Sequence, residues 1–307
     1  MKKILVATEK PFAPAAVAQI KEIVEAAGYS MSLLEKYSSP HELNAAVADA
    51  NALIVRSDKV SADVVAAANE LQIVVRAGAG YDNLDLEACS AKNVVAMNTP
   101  GQNSNAVAEL VFGMMVFQAR NQFNGTAGTE LRGKKLGIHA YGNVGLYVAK
   151  IAKGFGMEVF AFDPFVDDAK IKADGITPVS SVEELYSICQ YVSLHIPANE
   201  QTQKSINAGL LGNMPKGAVL INTARKEVID EEGVVALMEK RADFAYLSDI
   251  APDNKAVFVE KFPGRFFFTP KKMGAQTSEA NINAGVAAAN QIVKFFKNGD
   301  ETFRVNK

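Results

Sequence analysis

The stretch 136–155 restricts the fold of this chain more than any other. Its first residues are apolar and strand-like, Gly142 and Gly145 lie in a short turn, and its last ten residues are apolar at helical spacing. A second strand-like run, Glu158–Phe162, follows and ends at Asp163. A strand, a glycine turn, a helix and a strand with an acid about 20 residues after the turn form the pattern of a dinucleotide-binding βαβ unit.

Each position of this unit has a physical reason. Gly142 would let the backbone approach a pyrophosphate, and Gly145 would let the helix pack closely on the strand. The helix N-terminus offers free N–H groups to the phosphates. Asp163 would accept hydrogen bonds from ribose hydroxyls and repel a 2′-phosphate, which favours NAD over NADP. Ala140 replaces the first glycine of the pattern, so an ordinary α/β turn without a ligand stays open as the alternative.

Composition excludes several classes of function. At 307 residues the chain is long enough for two domains. Hydrophobic residues make up 49% and charged residues 21%, which is typical of a soluble globular protein. The net charge of −2 gives no footprint for nucleic acid or an anionic membrane surface. We therefore expect neither nucleic acid nor membrane as a partner.

Cysteine and histidine usage points to a reducing compartment and to no metal. Cys89 and Cys189 lie far apart without metal-ligand spacing, so we expect a cytoplasmic protein. The run Met1–Thr8 is too short for a signal peptide and is better explained as a buried first strand. The three histidines are scattered and predict no metal cluster: His41, His139 and His195.

The first third alternates strand-like and helix-like segments. Such alternation predicts a parallel sheet with helices on both faces, an α/β fold. The expected strands are 4–7, 31–35, 53–56 and 73–76, and the expected helices are 14–27, 40–50 and 61–69.

Two of these strands end in arginine. Ligands of doubly wound sheets bind beyond the carboxyl ends of the strands, where Arg56 and Arg76 would hold a carboxylate or phosphate by bidentate contacts. The alternative is that each arginine pairs with a neighbouring acid. The loop that begins with Ala77 and Gly78 either offers N–H groups to an anionic oxygen or is simply a turn.

Two long helices are expected outside this alternation. The segment 105–121 is apolar over a wide face, which predicts burial between domains or against a second subunit. The segment 278–297 is rich in alanine, with Ser278 as its expected N-cap and Gly299 beyond its end.

Polar residues recur at the ends of the later strands. Expected strands at 191–195, 219–222 and 244–249 end near His195, Thr223 to Arg225 and Asp249. The run 266–270 precedes a lysine pair, Lys271 and Lys272. In a doubly wound sheet this edge is where the nicotinamide end of a dinucleotide lies.

These residues sit in phrases that resemble the D-2-hydroxyacid dehydrogenase family over essentially the whole chain. The phrases are Asn98-Thr99-Pro100-Gly101 with Ala108-Glu109, then Val192–Pro197 and Leu220–Arg225. The resemblance implies two doubly wound parallel-sheet (Rossmann-like) domains. A cofactor domain, 99–277, would be inserted into a substrate domain formed by both chain ends, 1–98 plus 278–307.

Within the family, the chain is most similar to short members without a regulatory domain that act on a phosphorylated substrate. This implies hydride transfer between 3-phospho-D-glycerate and NAD, giving 3-phosphohydroxypyruvate at the start of serine biosynthesis, in a homodimer. One alternative is a glyoxylate or hydroxypyruvate reductase of the same family. Another is a non-catalytic NAD-binding dimer similar to the family's corepressors.

The resemblance also assigns site residues. Arg225 would hold the α-carboxylate and carbonyl oxygen of the substrate. Arg56 and Arg76 would lie near the substrate phosphate and carboxylate, with Ala77 and Gly78 also at the substrate. His195 is equally well explained as a satisfied histidine at a strand end. The residues at NAD positions are Gly142, Asn143, Val144, Asp163, His195, Thr223, Ala224, Asp249 and Gly274.

The chain departs from the family where the catalytic histidine and its glutamate partner are expected. Lys272 stands in place of the histidine and Asn254 in place of the glutamate. An imidazole needs a carboxylate to fix its tautomer, whereas a lysine has no second nitrogen to orient. We therefore expect Lys272 to be catalytic, with a pKa lowered by burial and by Arg225. The alternatives are a solvated lysine pair in an inactive site, or Asp253 serving as the displaced carboxylate.

Overall fold

The computed structural model describes residues 1–306 and divides the chain into two compact units. One unit contains Met1–Asn103 together with the residues from Gln276 onward, and the other contains Ser104–Ala275. The inserted unit is therefore continuous in sequence, whereas the other is built from both chain ends.

The first part of the discontinuous unit alternates strand and helix, as predicted. Its five strands are all parallel, in the order β2-β1-β3-β4-β5. The strands are β1 Lys3–Thr8, β2 Ser30–Glu35, β3 Ala52–Val55, β4 Ile73–Arg76 and β5 Val95–Asn98, and the helices are α1 Pro14–Ala26, α2 Pro40–Val47, α3 Ala62–Ala67 and α4 Leu86–Ala91.

The inserted unit is a seven-stranded parallel sheet in the order β12-β11-β10-β9-β6-β7-β8. Since β6 pairs with both β7 and β9, the direction of winding reverses between β6 and β9. Its elements are α5 Ser104–Ala119, β6 Lys135–His139, α6 Asn143–Gly154, β7 Glu158–Phe162, α7 Asp168–Ala173, β8 Thr177–Pro178, α8 Val182–Ile188, β9 Tyr191–Leu194, α9 Ala208–Gly212, β10 Val219–Asn222, α10 Glu231–Lys240, β11 Ala245–Ser248, α11 Lys255–Lys261 and β12 Phe266–Phe268.

The last helix, α12 Ser278–Asn298, returns to the first unit and packs on α1. Small residues line the contact, and a Cβ on Gly285 would come within 2.9 Å of Ile20 Cδ1. The expected cap at Ser278 is wrong by one residue, because the side chain of Thr277 accepts the Ala280 N–H. Gly299 ends the helix in the left-handed conformation with φ 68°, as expected.

The segment after α12 covers the free edge of β5. Arg304 forms an antiparallel bridge with Met97, and buried Asn306 accepts the Ala96 N–H at 2.8 Å. The Asn306 amide also donates to the Val94 carbonyl at 2.9 Å. This edge is therefore paired rather than open to solvent.

Helix α5 is apolar nearly all round but only partly buried. One side packs on α6, and Val111 and Met115 belong to the buried cluster that also contains α6 residues, whereas Leu110, Val116 and Phe117 stay half-buried. Within residues 1–306, no helix is both long enough and apolar enough to cross a membrane. The doubly wound α/β fold expected from the sequence is confirmed.

Candidate active site

The turn between β6 and α6 leaves open space at the helix N-terminus. Gly142 is the N-cap residue of α6, with an ordinary φ of −84° and no side-chain cap. A Cβ placed on Gly142 would meet no atom within 4 Å. Neither the backbone nor a neighbour therefore requires glycine here, and the space is available to a ligand in front of the α6 N–H groups.

Gly145 and Ala140 show how tightly the helix sits on the strand. A Cβ on Gly145 would lie 2.5 Å from the Ala140 carbonyl oxygen, so only glycine fits. Ala140, at the position of the first glycine, has a φ of 80°. Alanine is thus tolerated in a backbone conformation that glycine adopts more easily.

Asp163 follows β7 and is fixed by the glycine turn. Its carboxylate accepts the Tyr141 N–H at 2.8 Å and the Phe165 N–H at 2.9 Å. A carboxylate has about four lone-pair positions, so two backbone bonds leave capacity for hydroxyl donors. Phe165, whose N–H bonds to this carboxylate, has a side chain that is 90% exposed. This exposed aromatic side chain is not among the residues predicted from the sequence.

His195 is hydrogen-bonded within the protein. Its Nε2 lies 3.0 Å from Ser193 Oγ, and the Nδ1 of neighbouring His139 lies 3.2 Å from Tyr186 Oη. Burial lowers the pKa of His195 to about 3, with His139 adding to the effect. These contacts favour the satisfied-histidine interpretation, and a cofactor contact of His195 stays a prediction.

Asn222 shapes the turn at the end of β10. Its Oδ1 accepts the Ala224 N–H at 2.9 Å, and its Nδ2 donates to the Arg225 carbonyl at 2.9 Å. These bonds hold the Thr223–Arg225 turn in one conformation. The Oγ1 atom of Thr223 is buried and has no hydrogen-bond partner within residues 1–306.

Lys272 and Arg225 converge on one acceptor. The Nη1 of Arg225 donates to the Ala224 carbonyl oxygen at 3.0 Å, and the Nζ of Lys272 donates to the same oxygen. The proposed proton-transfer group and the proposed carboxylate-binding group are therefore adjacent. Both residues remain exposed, so a ligand can reach them.

The loop that carries Lys272 is attached to β11. The Thr269 N–H donates to the Ser248 carbonyl at 3.2 Å, and the Gly274 N–H donates to Asp249 Oδ2 at 3.0 Å. A Cβ on Gly274 would lie 2.8 Å from that carboxylate oxygen, so the close approach requires glycine. Asp249 is fully buried, and its Oδ1 has no partner in the described part of the chain.

The surroundings of Lys272 favour the neutral amine. Partial burial lowers the pKa of Lys272, Asp249 opposes this, and Arg225 adds to it by like charge. Much of the lysine surface still faces solvent, so the effect grows only when a ligand covers the amine. Burial likewise raises the pKa of Asp249, against the opposing charge of Lys272.

The two positions near the expected glutamate have partners other than Lys272. Asp253 forms an exposed ion pair with Lys226, with 2.7 Å between Oδ1 and Nζ. The Asn254 N–H donates to Glu231 Oε2 at 3.2 Å. The carboxylate that acts on Lys272 most strongly is instead Asp249.

In the other unit, Arg56 bonds to neutral acceptors. Its Nη1 donates to the carbonyls of Lys10 and Pro11 at 3.2 and 3.1 Å, and its Nη2 donates to Asn281 Oδ1 at 2.5 Å. The guanidinium also lies 5.2 Å from the centre of the Phe12 ring. Its direction is therefore fixed before any ligand binds.

The side chain of Arg76 is hydrogen-bonded to the backbone of Arg56. Its Nε donates to the Arg56 carbonyl at 3.0 Å. Its guanidinium covers Gly78, which has a φ of 152°, and a Cβ on Gly78 would collide with Nη1 of Arg76. The loop that begins at Ala77 therefore packs directly under an arginine.

The donor and acceptor set of the inserted unit fits a dinucleotide. Gly142 leaves an empty cradle at a helix N-terminus, and Asp163 lies at the end of the next strand. Buried, unpartnered oxygens on Thr223 and Asp249 offer acceptors at the ends of β10 and β11. Buried polar atoms are normally paired, so these two indicate a ligand with N–H or O–H donors.

Comparison with known families agrees with this fit. Residues 106–262 match the family described as "D-isomer specific 2-hydroxyacid dehydrogenase, NAD binding domain". The chain belongs to the D-isomer specific 2-hydroxyacid dehydrogenase family. The matched residues lie inside the Ser104–Ala275 unit, and NAD is the cofactor of this dehydrogenase.

Two curated relatives show which members of the family the chain is similar to. The chain is 34% identical over 275 residues to D-3-phosphoglycerate dehydrogenase of Methanocaldococcus jannaschii, covering 83% of this chain and 52% of that protein. It is 31% identical over 281 residues to hydroxypyruvate reductase of Thermotoga maritima, covering 86% of this chain and 90% of that protein. The chain thus spans about half the length of the archaeal relative, as it does for mammalian D-3-phosphoglycerate dehydrogenases.

A solved structure matches over the full length. It is NAD⁺-bound 3-phosphoglycerate dehydrogenase of Entamoeba histolytica, 48% identical, with a TM-score of 0.87. The match covers 100% of this chain and 99% of that one.

Proposed function

We propose that this dehydrogenase interconverts 3-phospho-D-glycerate and 3-phosphohydroxypyruvate with NAD, at the start of serine biosynthesis. The observation that carries the proposal is the convergence of Lys272 and Arg225 on the Ala224 carbonyl oxygen. The full-length similarity to a 3-phosphoglycerate dehydrogenase supports the choice of substrate.

Arg225 is assigned the α-carboxylate and the reacting oxygen of the substrate. A planar guanidinium binds a carboxylate bidentately and stabilises negative charge that develops on a neighbouring oxygen. The Asn222 bonds hold the Arg225 backbone, and the bond to Ala224 orients its guanidinium. Little rearrangement is therefore needed when the substrate arrives.

Lys272 is assigned the proton at the reacting oxygen. In oxidation the neutral amine takes the hydroxyl proton at Nζ, and in reduction the ammonium returns it. Bound NAD supplies the hydride acceptor. An ordinary lysine has a pKa of ~10.4. Because the pKa of Lys272 is lowered, its neutral form is reached closer to physiological pH.

Arg56 and Arg76 are assigned the phosphorylated end of the substrate. The N–H groups of Ala77 and Gly78 already donate to the Val55 and Arg76 carbonyls at 2.8 and 2.9 Å, which favours the interpretation of this loop as a turn. A neutral 2-hydroxy acid has no use for two arginines at adjacent strand ends. The cofactor is assigned to the residues at family positions in the inserted unit, which are Gly142, Asn143, Val144, Asp163, His195, Thr223, Ala224, Asp249 and Gly274.

Assembly and compartment are part of the same proposal. The half-buried apolar side of α5, formed by Leu110, Val116 and Phe117, supports a homodimer. The buried thiols of Cys89 and Cys189, both free, are compatible with the cytoplasm.

The test is NADH oxidation with 3-phosphohydroxypyruvate from pH 6 to 10 in wild type, Lys272→Ala and Lys271→Ala. Loss of a positioned acid is expected to lower kcat by about 10²–10⁴ in Lys272→Ala. Lys271→Ala is the matched control and should stay near wild type. Wild-type reduction should fall with pH as Nζ loses its proton, whereas the reverse oxidation should rise.

Three outcomes would redirect the proposal. Equal rates in Lys272→Ala and wild type would move proton transfer to another group. Faster turnover of unphosphorylated hydroxypyruvate, unaffected by Arg56→Ala, would favour a hydroxypyruvate reductase, the activity named for the Thermotoga maritima relative. No turnover of either substrate, with NADH still bound, would favour a non-catalytic NAD-binding dimer.

A further inference from the structure

A buried carboxylate two residues after Arg56 has no place in the proposed reaction. Asp58 is only 5% exposed. Its Oδ1 accepts the Glu9 N–H at 2.6 Å and the Tyr37 hydroxyl at 2.8 Å, and its Oδ2 accepts the Arg56 N–H at 3.2 Å. One carboxylate thus joins the loops that follow β1, β2 and β3.

The donors match an ionised carboxylate. Burying a charge is unfavourable unless hydrogen bonds replace its water, and Asp58 receives three. Burial and the bond to Asp58 hold the pKa of Tyr37 well above its usual range, so this hydroxyl stays a donor. The cluster is therefore organised around the carboxylate rather than around a neutral group.

The opposite side of the same turn is held as well. The Asn83 amide donates to the Arg56 carbonyl at 3.3 Å and to the Asp58 carbonyl at 2.7 Å. The Nε of Arg76 donates to the Arg56 carbonyl at 3.0 Å. The peptide groups on both sides of the Arg56 α-carbon are thus fixed, one by Asp58 and the other by Asn83 and Arg76.

The direction of the Arg56 side chain depends on this backbone. Three of its five N–H groups bond to Lys10, Pro11 and Asn281. Within the described residues, this leaves the Nε–H and one Nη2–H for an anion. A small rotation of the Arg56 backbone would turn both donors away, and misplacement of a binding group by about 1 Å can cost 10²-fold in activity.

We propose that Asp58 is a positioning residue for the anion site of Arg56 and Arg76: it sets the direction of the Arg56 guanidinium. This inference rests on the proposed function in one respect, that the substrate carries an anionic group held by these arginines. A merely structural carboxylate would lower stability when changed, without a specific effect on substrate affinity.

The central variant is Asp58→Asn, which keeps the shape of the side chain. The remaining carbonyl oxygen can face Glu9 and Tyr37, which places the new NH₂ against the Arg56 N–H, donor against donor. Tyr37→Phe is the matched control, because it removes a bond to the same carboxylate and leaves the Arg56 bond intact.

The measurements are kcat and KM for 3-phosphohydroxypyruvate, together with NADH affinity. Asp58→Asn is expected to raise KM about tenfold, with kcat within twofold and NADH affinity unchanged. Tyr37→Phe should change KM less than threefold. In an Arg56→Ala background, Asp58→Asn should have no further effect, because the group that it positions is gone.

Each outcome of these measurements either supports or overturns the positioning role of Asp58. An unchanged KM in Asp58→Asn, or an equal KM rise in the Arg56→Ala background, overturns the proposal. If Asp58→Asn does not fold, Asp58→Glu carries the same cycle, because it keeps the charge and shifts the carboxylate relative to the Arg56 N–H.

Failure of the proposed function would be seen separately. If the wild type does not turn over, calorimetry with 3-phospho-D-glycerate replaces the kinetic assay. Tenfold weaker binding by Asp58→Asn than by wild type would then support the positioning role while the dehydrogenase proposal fails. Equal affinity, or no binding by wild type, would overturn the positioning role.

Discussion

Acid should destabilise this protein through His139, which is buried and neutral. His139 lies on β6, is 8% exposed, and has its Nδ1 3.2 Å from Tyr186 Oη. Burial lowers its pKa to about 4, and the charge of Asp163 opposes this only in part. In the unfolded chain the same imidazole titrates near ~6.5.

The sign follows from proton uptake. Between about pH 6.5 and pH 4 the unfolded chain binds a proton at His139 and the folded chain does not. Stability therefore falls as pH falls through this window, and His139 has no further effect below it. The two pKa values differ by about 2.5, and a difference of one corresponds to ~1.36 kcal/mol, so the loss is about 3 kcal/mol.

The assay is urea unfolding followed by circular dichroism at pH 7.5, 6, 5 and 4. His139→Asn removes the titrating ring and keeps a polar group beside Tyr186. This variant is expected to be less stable at neutral pH, because a smaller side chain leaves a cavity. Its free energy of unfolding should nevertheless fall by about 3 kcal/mol less than that of wild type between pH 7.5 and pH 4.

The control is His41→Asn, at an exposed histidine on α2. It should follow the wild-type pH profile, because it leaves the buried ring of His139 in place. Parallel profiles for wild type and His139→Asn would refute the reasoning, since they would show that burial of this ring does not resist protonation.

Three further changes test individual contacts. Ala140→Gly should raise the free energy of unfolding by up to about 1 kcal/mol, because alanine at φ 80° is strained; thermal unfolding should shift upward by about 2–4 °C, and a downward shift would contradict this. Asp163→Ser should move the ratio of KM values for NADP and NAD at least about tenfold toward NADP, because it removes a charge that repels a 2′-phosphate; an unchanged ratio would exclude Asp163 from the ribose site. Lys92→Met should lower the free energy of unfolding by about 1–2 kcal/mol, because the Lys92 ammonium donates to three carbonyl oxygens at the end of α3 at 2.8 to 2.9 Å; unchanged denaturation would show that water replaces it fully.

Periodicity and turn residues predicted a parallel sheet with helices on both faces, and the family resemblance added the division into two doubly wound domains. The βαβ unit at 135–162 has long periodic segments, and its predicted helix and strands agree with α6, β6 and β7. The elements left unassigned were mostly short, such as α4, α7 and α11, with six or seven residues each. Segments of two turns carry too few apolar positions to show a period.

The sequence proposed individual residues of the candidate site but not their contacts. The phrase around Lys272 suggested a lysine in place of histidine, yet its bond to the Ala224 carbonyl spans 48 residues of sequence. The role of Asn222 had a local signal, since an asparagine can bond to the backbone two residues later. Asp58 had none, because aspartate is usually exposed and only the fold shows its burial.

The unit with β1–β5 is completed by α12 and the Arg304–Asn306 segment. It therefore cannot finish folding until the end of the chain has been synthesised. Ribosomes add about 5–20 residues per second, so the stretch from Ser104 to Ala275 takes about 10–30 s to emerge after β5. In that interval the α1 surface that packs on α12 and the edge of β5 are uncovered. The inserted unit can complete its own sheet first, which leaves the segment Met1–Asn103, about a third of the chain, as the part most exposed to chaperones.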